Sequence, residues 1–245
     1  MKTILLSGSL IISIALNLLI YNRAKQYYLE VNQVRLQPLE LNAYPPESNP
    51  PKPEQNTQKR VVFFGDSRVQ AWPAPTVANY EFINRGIGGQ TSVQIIQRLE
   101  QHLRPLQPDI VVVQLGINDL KTIPLFPEKK DEIIANCREN IGEIVKRSRD
   151  LGALVVVTTI FPFGEITLVR KPFWSDDVLL AVEEINAYIS TLADDRIIVF
   201  DAFSLLADDR GMMPRKYRLD ELHYNQQGYE KINQEFSELL RTLSQ

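Results

Sequence analysis

Two short segments of the sequence carry side chains that together can perform nucleophilic catalysis. Ser67 follows Gly65 and Asp66, and Asp220 lies three residues before His223. An acid at this spacing can fold back within one turn and accept a hydrogen bond from the imidazole, which leaves the other ring nitrogen to act as a base. A serine hydroxyl needs such a base to attack. Taken alone, the first segment is equally typical of a turn or helix cap, and the second of a solvated surface pair.

Two further segments offer hydrogen-bond donors. Residues 84–91 read NRGIGGQT, a glycine-rich turn ahead of a helical pattern, and glycine lets a backbone N–H approach a reacting centre closely. Residues 116–119 read GIND, where the Asn118 amide can donate into the same cleft or serve as a turn or cap. Neither a dinucleotide-binding loop nor the G-x-S-x-G turn is present, because Thr91 and Val69 occupy the final glycine positions of those motifs.

These four segments lie beside the elements of an alternating pattern. Apolar, mostly β-branched runs predict strands at 61–64, 80–84, 109–115, 153–160 and 196–202, and helical periodicity predicts helices at about 91–103, 130–150, 177–193 and 226–243. Strand and helix alternation of this size predicts an α/β fold with a doubly wound parallel sheet. Because ligands bind outside the carboxyl ends of such strands, we expect the four segments to share one cleft.

The composition excludes several classes of function. The chain has 44% hydrophobic and 23% charged residues and a net charge of −3, so it offers no basic surface to a nucleic acid. Two histidines and one cysteine are too few for a zinc site of the usual His/Cys kind. Of these residues, His102 is expected to be solvated on the polar side of its helix, and Cys137 to be a small buried residue.

The first 58 residues differ in composition from the rest. Residues 3–22 carry no charge and have about the length of a membrane-spanning helix, so residues 1–22 are predicted to be a membrane anchor with the catalytic domain outside the cytoplasm. A cleaved signal peptide, which would release a secreted or periplasmic domain, and a buried core helix are the alternatives. Residues 23–58 are predicted to be a juxtamembrane and proline-rich linker, or else ordered coil around the domain. The folded domain then spans residues 59–245.

In this order and at these positions, the four segments resemble the SGNH family of GDSL-type esterases and lipases. The resemblance covers residues 61 to about 240 and rests on residues 64–67, 84–91, 116–119 and 220–223. The glycine segment is most similar to that of the thioesterase I/lysophospholipase-like branch and of the platelet-activating-factor acetylhydrolase-like branch. The resemblance implies a three-layer sandwich around a five-stranded, doubly wound parallel sheet of the flavodoxin-like kind.

The resemblance also implies roles for individual residues. Ser67 would be the nucleophile, His223 the general base and later the general acid, and Asp220 the acid that holds the imidazole tautomer. The oxyanion hole would combine the N–H groups of Ser67 and Gly89 with the amide of Asn118. The family's spacing to the following threonine selects this glycine over the one before it. No metal and no other cofactor is implied.

Two positions depart from the family pattern. Arg68 stands where the family has leucine, and Gln90 replaces a frequent aspartate. Neither residue performs chemistry, so we expect a change of Arg68 to leucine to have a small effect. The implied function is a serine esterase or lipase that hydrolyses acyl or acetyl esters of small molecules, lipids or glycans through an acyl-enzyme. A carbohydrate O-deacetylase or acyltransferase with the same site, or a catalytically silent binding domain, is the alternative.

Overall fold

The computed structural model describes residues 2–38, 44, 45, 52 and 58–244, and only the backbone of residues 2–7. The chain divides into two compact units, Met1–Gln37 and Pro38–Gln245. The first unit contains one long helix, α1 (Lys2–Arg35). In the predicted linker at residues 23–58, α1 continues to Arg35, and residues 39–43, 46–51 and 53–57 lie outside the described residues.

The prediction of an N-terminal membrane anchor, and of a membrane-anchored localisation, is wrong. Within the part of the chain that the structure describes, no helix combines the length and the apolar character that a membrane crossing requires. The prediction rested on the absence of charge over residues 3–22, whereas a spanning helix also has to be apolar enough over its whole length.

The second unit is built on a five-stranded, all-parallel sheet, as predicted. Its strands are β1 (Lys59–Gly65), β2 (Tyr80–Gly86), β3 (Ile110–Gln114), β4 (Leu154–Thr158) and β5 (Ile197–Phe200). They pair in the order β2-β1-β3-β4-β5. In β1 every residue except the first is buried, and β3 is buried throughout, which explains why their sequences are apolar without alternation.

The strand order determines where a ligand cleft can form. The chain moves outward from β1 to β2 and then crosses to β3 on the other side of β1, so the order reverses between β1 and β3. At such a switch point the loops that follow the two strands diverge, and a crevice opens at their carboxyl ends. Ser67 follows β1 and Asn118 follows β3, so two of the predicted site residues border this crevice.

Helices cover both faces of the sheet. The long ones are α6 (Lys130–Asp150), α7 (Asp177–Ser190) and α9 (Gln226–Thr242), whose buried residues recur at helical spacing, for example Ile134, Cys137, Ile141 and Ile144 in α6. The helices after the first are α2 (Ser67–Gln70), α3 (Ser92–Gln97), α4 (Leu99–Leu103), α5 (Ile117–Leu120), α6 (Lys130–Asp150), α7 (Asp177–Ser190), α8 (Ala202–Leu206) and α9 (Gln226–Thr242).

Of the predictions for Cys137 and His102, the structure confirms only the first. Cys137 is buried in α6, as predicted. The prediction of a solvated His102 is wrong, because the chain at Tyr44 covers the polar side of α4. His102 Nε2 donates to the Tyr44 carbonyl over 2.8 Å, and burial lowers the pKa of the imidazole. At Lys52, too, the chain contacts the domain, with Nζ 2.6 Å from an Asp109 carboxylate oxygen.

An aromatic cluster holds α9 against the sheet. The Phe63 ring on β1 lies 5.1 Å from the Trp72 ring and 5.7 Å from that of Phe236 on α9. The Trp72 indole N–H donates to Asn233 Oδ1 over 2.7 Å, so the polar atom of the ring is satisfied. Because α9 follows directly after His223, this cluster helps to fix the loop that carries the histidine.

Replacement of Phe236 by alanine is therefore expected to destabilise the domain. The side chain is fully buried, and removal of a buried phenylalanine costs about 3–5 kcal/mol in the free energy of unfolding. Denaturation in urea measures this difference. Leu180→Ala is the control, because Leu180 on α7 is 57% exposed and its loss is expected to change the free energy by less than about 0.5 kcal/mol. Equal effects of the two changes would contradict the assignment of the core.

Candidate active site

The serine segment is fixed at the carboxyl end of β1. Ser67 is the first residue of α2, and the Asp66 side chain caps this helix by accepting from the Arg68 backbone N–H over 2.9 Å. Asp66 is fully buried, and burial raises the pKa of its carboxyl, although Arg68 and Lys121 nearby oppose that rise. The turn therefore holds Ser67 at the surface of the crevice above a buried polar group.

A chain of hydrogen bonds joins the serine to the acid. Ser67 Oγ lies 2.9 Å from His223 Nε2, and His223 Nδ1 lies 2.8 Å from Asp220 Oδ2. A carboxylate accepts, so Nδ1 carries the proton and Nε2 is left as an acceptor for the serine hydroxyl. This is the arrangement in which an imidazole can take a proton from a serine.

The acid also orders its own loop. Asp220 Oδ1 accepts from the backbone N–H groups of Leu222 (2.7 Å) and His223 (2.8 Å). Partial burial acts to raise the pKa of Asp220, but the hydrogen bonds from the His223 ring and from these two N–H groups outweigh it and hold the pKa below its usual value. Asp220 is therefore ionised at neutral pH and favours the Nδ1-protonated imidazole.

The glycine segment lies against the serine. A Cβ built at Gly88 would lie 3.8 Å from Ser67 Cβ and only 2.8 Å from Gln70 Oε1, so little space is available there for a side chain. Gly89 has a φ of +75°, a left-handed conformation that favours glycine. Within residues 58–244, the backbone N–H groups of Ser67 and Gly89 donate to no protein acceptor. These two backbone donors are thus not used by the protein within that part of the chain.

The side-chain amide of Asn118 is held in one orientation. Its Nδ2 donates to the Gln90 carbonyl over 2.9 Å, and its Oδ1 accepts from Lys121 Nζ over 2.6 Å. An amide nitrogen has two N–H groups, so one remains for a ligand. Asn118 is bonded to the residue after Gly89, which brings the asparagine and glycine segments together. The contact of Lys121 with Asn118 was not predicted from the sequence. The one signal for it is the spacing of three residues, which brings the two side chains together on one face of a helix.

A buried carboxylate connects the asparagine segment to the helix after the glycine segment. Asp119 accepts from the Ser92 backbone N–H (2.9 Å) and from Ser92 Oγ (2.6 Å) at the start of α3. Burial raises the pKa of Asp119 to about 6, against the hydrogen bonds from Ser92. The sequence alone gives Asp119 no role, because its partner Ser92 is distant in the sequence and no local pattern links the two residues.

A cavity of about 430 Å³ is lined by residues at the end of β2 and by Gln70 of α2, together with Tyr44 and His102. Gln70 is exposed and lies close to the serine, since Gln70 Oε1 and Ser67 Cβ both lie within 4 Å of the position that a Cβ on Gly88 would take. The loop after β4 buries Phe161 and Phe163 in the domain.

Within the described residues, no group of three or more histidine, cysteine, aspartate or glutamate side chains is arranged to hold a metal ion. The described side chains thus offer a nucleophile, a base and hydrogen-bond donors as the chemistry of this crevice.

Comparison with known proteins identifies a family. The model described as the GDSL-like Lipase/Acylhydrolase family matches residues 54–231. No curated protein matches the sequence. Among solved structures, a GDSL-like lipase from Bacteroides thetaiotaomicron is 18% identical, with a TM-score of 0.61, and covers 89% of this chain and 98% of its own.

Two other structural neighbours have names that state a substrate class. A carbohydrate acetylesterase from Sinorhizobium meliloti is 16% identical, with a TM-score of 0.60, and covers 76% of this chain and 100% of its own. An acetyl xylan esterase is 21% identical, with a TM-score of 0.57, and covers 72% of this chain and 97% of its own. At these identities the likeness shows a shared fold.

The raised pKa of Asp119 gives a testable dependence of stability on pH. An unfolded chain ionises this carboxyl near pH 3.8, whereas the folded chain keeps it protonated to about pH 6. The folded state therefore binds more protons in this interval and loses stability as pH rises. Since one pKa unit corresponds to about 1.4 kcal/mol, the wild type should lose about 3 kcal/mol relative to Asp119→Asn between about pH 4 and pH 6.

Urea denaturation of both proteins at several pH values measures this difference. Glu132→Gln, which removes an exposed carboxyl on α6, is the control for the loss of one negative charge. A constant difference between the wild type and Asp119→Asn would mean that burial does not raise the pKa of Asp119.

Proposed function

Because the chain belongs to the GDSL-like lipase/acylhydrolase family, we propose that it is a serine esterase that hydrolyses carboxylic esters through an acyl-enzyme formed on Ser67. The observation that carries the proposal is the hydrogen-bonded chain from Ser67 Oγ through His223 to Asp220. The catalytic domain in this proposal spans residues 59–245.

In the first half of the reaction, Ser67 Oγ attacks the ester carbonyl while His223 Nε2 takes the hydroxyl proton. The imidazolium that forms is stabilised by Asp220, which accepts from Nδ1 and does not itself take the proton. His223 Nε2 then gives the proton to the leaving alcohol as the carbon–oxygen bond breaks. The acyl group remains on Ser67.

In the second half, water replaces the alcohol. His223 Nε2 takes a proton from this water, and the resulting hydroxide attacks the acyl carbon. The proton returns to Ser67 Oγ as the carboxylic acid leaves, which restores the starting state. Each half needs one proton held at Nε2, and no metal or cofactor takes part in either step.

The negative charge of each tetrahedral intermediate needs fixed donors. In this proposal the N–H groups of Ser67 and Gly89 and the second N–H of the Asn118 amide form the oxyanion hole. Lys121 draws Asn118 Oδ1 to itself, so the amide presents its nitrogen and not its oxygen to the crevice. Loss of one such donor typically lowers turnover by roughly 100- to 1000-fold.

A second candidate is the O-deacetylation of carbohydrates by the same site. The exposed amide of Gln70 lines the cavity, and a polar group of this kind can bind a hydroxyl group of a sugar. The fold is shared with a carbohydrate acetylesterase and an acetyl xylan esterase. These observations favour a polar alcohol portion with a short acyl group.

The test measures turnover of the purified protein on p-nitrophenyl esters of increasing chain length and on acetylated xylan oligosaccharides. We expect Ser67→Ala to abolish turnover on every substrate while circular dichroism and thermal unfolding stay unchanged. Ser204→Ala is the matched control, because Ser204 lies on α8 and is exposed, and it is expected to retain full activity. Turnover of acetyl esters alone, together with acetylated xylan, would select the second candidate.

Two outcomes would contradict the proposal. Hydrolysis that survives Ser67→Ala would mean that Ser67 is not the nucleophile. No turnover on any ester, in a folded wild-type protein that a fluorophosphonate also fails to label, would favour a catalytically silent binding domain.

A further inference from the structure

Arg68, the residue after the serine, occupies an unusual environment. Its side chain is fully buried, which for arginine requires that the guanidinium be hydrogen-bonded throughout. The guanidinium lies 5.9 Å from the centre of the Phe161 ring and 5.8 Å from that of Tyr224, within the range of cation–π attraction. The family pattern has leucine at this position, and leucine would offer neither interaction.

The donors of Arg68 connect the serine segment to two loops. Nε donates to the Leu222 carbonyl (3.0 Å), Nη1 to the Phe161 carbonyl (2.6 Å), and Nη2, over a longer 3.4 Å, to the Pro162 carbonyl. Phe161 and Pro162 follow β4, whereas Leu222 belongs to the loop of the histidine. The planar fork of donors is what allows one side chain to hold three carbonyl oxygens in fixed directions.

The Leu222 carbonyl is part of the peptide group that leads into His223. The oxygen of this peptide group accepts from Arg68 Nε, and its N–H donates to Asp220 Oδ1 over 2.8 Å. The peptide plane before the histidine is therefore held from both sides. A rotation of this plane would move the imidazole relative to Ser67.

From these contacts we propose that Arg68 is a positioning residue that sets the distance between Ser67 Oγ and His223 Nε2. This inference rests on the proposed function of Ser67 and His223. Arg68 does not touch the reacting atoms, because its side chain is fully buried and its donors bond backbone carbonyls. It acts through the Leu222–His223 peptide group, and it replaces the earlier expectation that a leucine at this position would have little effect.

The test compares Arg68→Leu, Arg68→Lys and Arg60→Leu. Arg60 is the matched control, since it is also fully buried and donates to a backbone carbonyl, that of Leu106, but lies at the opposite end of β1. Both leucine variants are expected to lower the thermal unfolding temperature. Only Arg68→Leu should also lower kcat, by about 100-fold for a misplacement on the order of 1 Å, with KM nearly unchanged.

The Arg68→Lys variant distinguishes the effect of the directed hydrogen bonds of Arg68 from the effect of its buried positive charge. A lysine keeps the positive charge but has no planar fork, so its kcat is expected to lie between those of the wild type and Arg68→Leu. If Arg68→Leu, measured at a temperature where it is folded, keeps the wild-type kcat, the proposal is wrong, while the proposed function stands. Equal kcat losses in Arg68→Leu and Arg60→Leu would also overturn it, because they would show a general effect of destabilisation.

A readout that needs no turnover distinguishes this proposal from the proposed function. The proton between His223 Nδ1 and Asp220 gives a downfield ¹H NMR resonance when the ring is held in place, and His223→Gln identifies it. We expect this resonance in the wild type and in Arg60→Leu, and its loss or broadening in Arg68→Leu. A resonance that is unchanged in Arg68→Leu would show that Arg68 does not hold the histidine loop, whatever the activity of the protein.

Discussion

The hydrogen bond between Ser67 Oγ and His223 Nε2 joins residues 156 positions apart in the sequence. A bond of this length persists only if the turn after β1 and the loop before α9 keep their relative position to within a fraction of an ångström. Most of the domain contributes to that constraint. The sheet fixes the end of β1, the aromatic cluster of Phe63, Trp72 and Phe236 fixes α9, and the contacts of Arg68 join the two.

The site is held by buried polar groups that are costly to bury. Asp66 and Asp119 are both buried with raised pKa values, and Arg68 is buried among carbonyl oxygens and aromatic rings, near the Asp66 carboxyl. A hydrophobic interior of the same shape would cost less to desolvate. What the polar groups provide is direction, because each hydrogen bond fixes a segment that apolar packing alone would leave free to shift. The free-energy cost of burying polar groups is thus found beneath the crevice, where the positions of the site residues have to be fixed.

The sequence predicts the sheet and the family well because both depend on local patterns. Runs of β-branched and aromatic residues mark the strands, and short segments with recognisable spacing contain Ser67, Gly89, Asn118, Asp220 and His223. The burial of His102 and the contacts of Arg68 could not be predicted, since they depend on Tyr44 and Leu222, which are distant in the sequence. The N-terminal prediction was wrong for a different reason. A run without charge is a weaker signal than a run apolar enough to span a bilayer.

The central claim is that the three donors of the crevice face an oxyanion on Ser67. A crystal structure of the protein after reaction with an alkyl fluorophosphonate tests it directly, because the phosphonyl group resembles the tetrahedral intermediate. We expect a covalent bond from phosphorus to Ser67 Oγ, with the phosphonyl oxygen within hydrogen-bond distance of the N–H groups of Ser67 and Gly89 and of Asn118 Nδ2. An adduct on another residue, or a phosphonyl oxygen turned away from all three donors, would contradict this account.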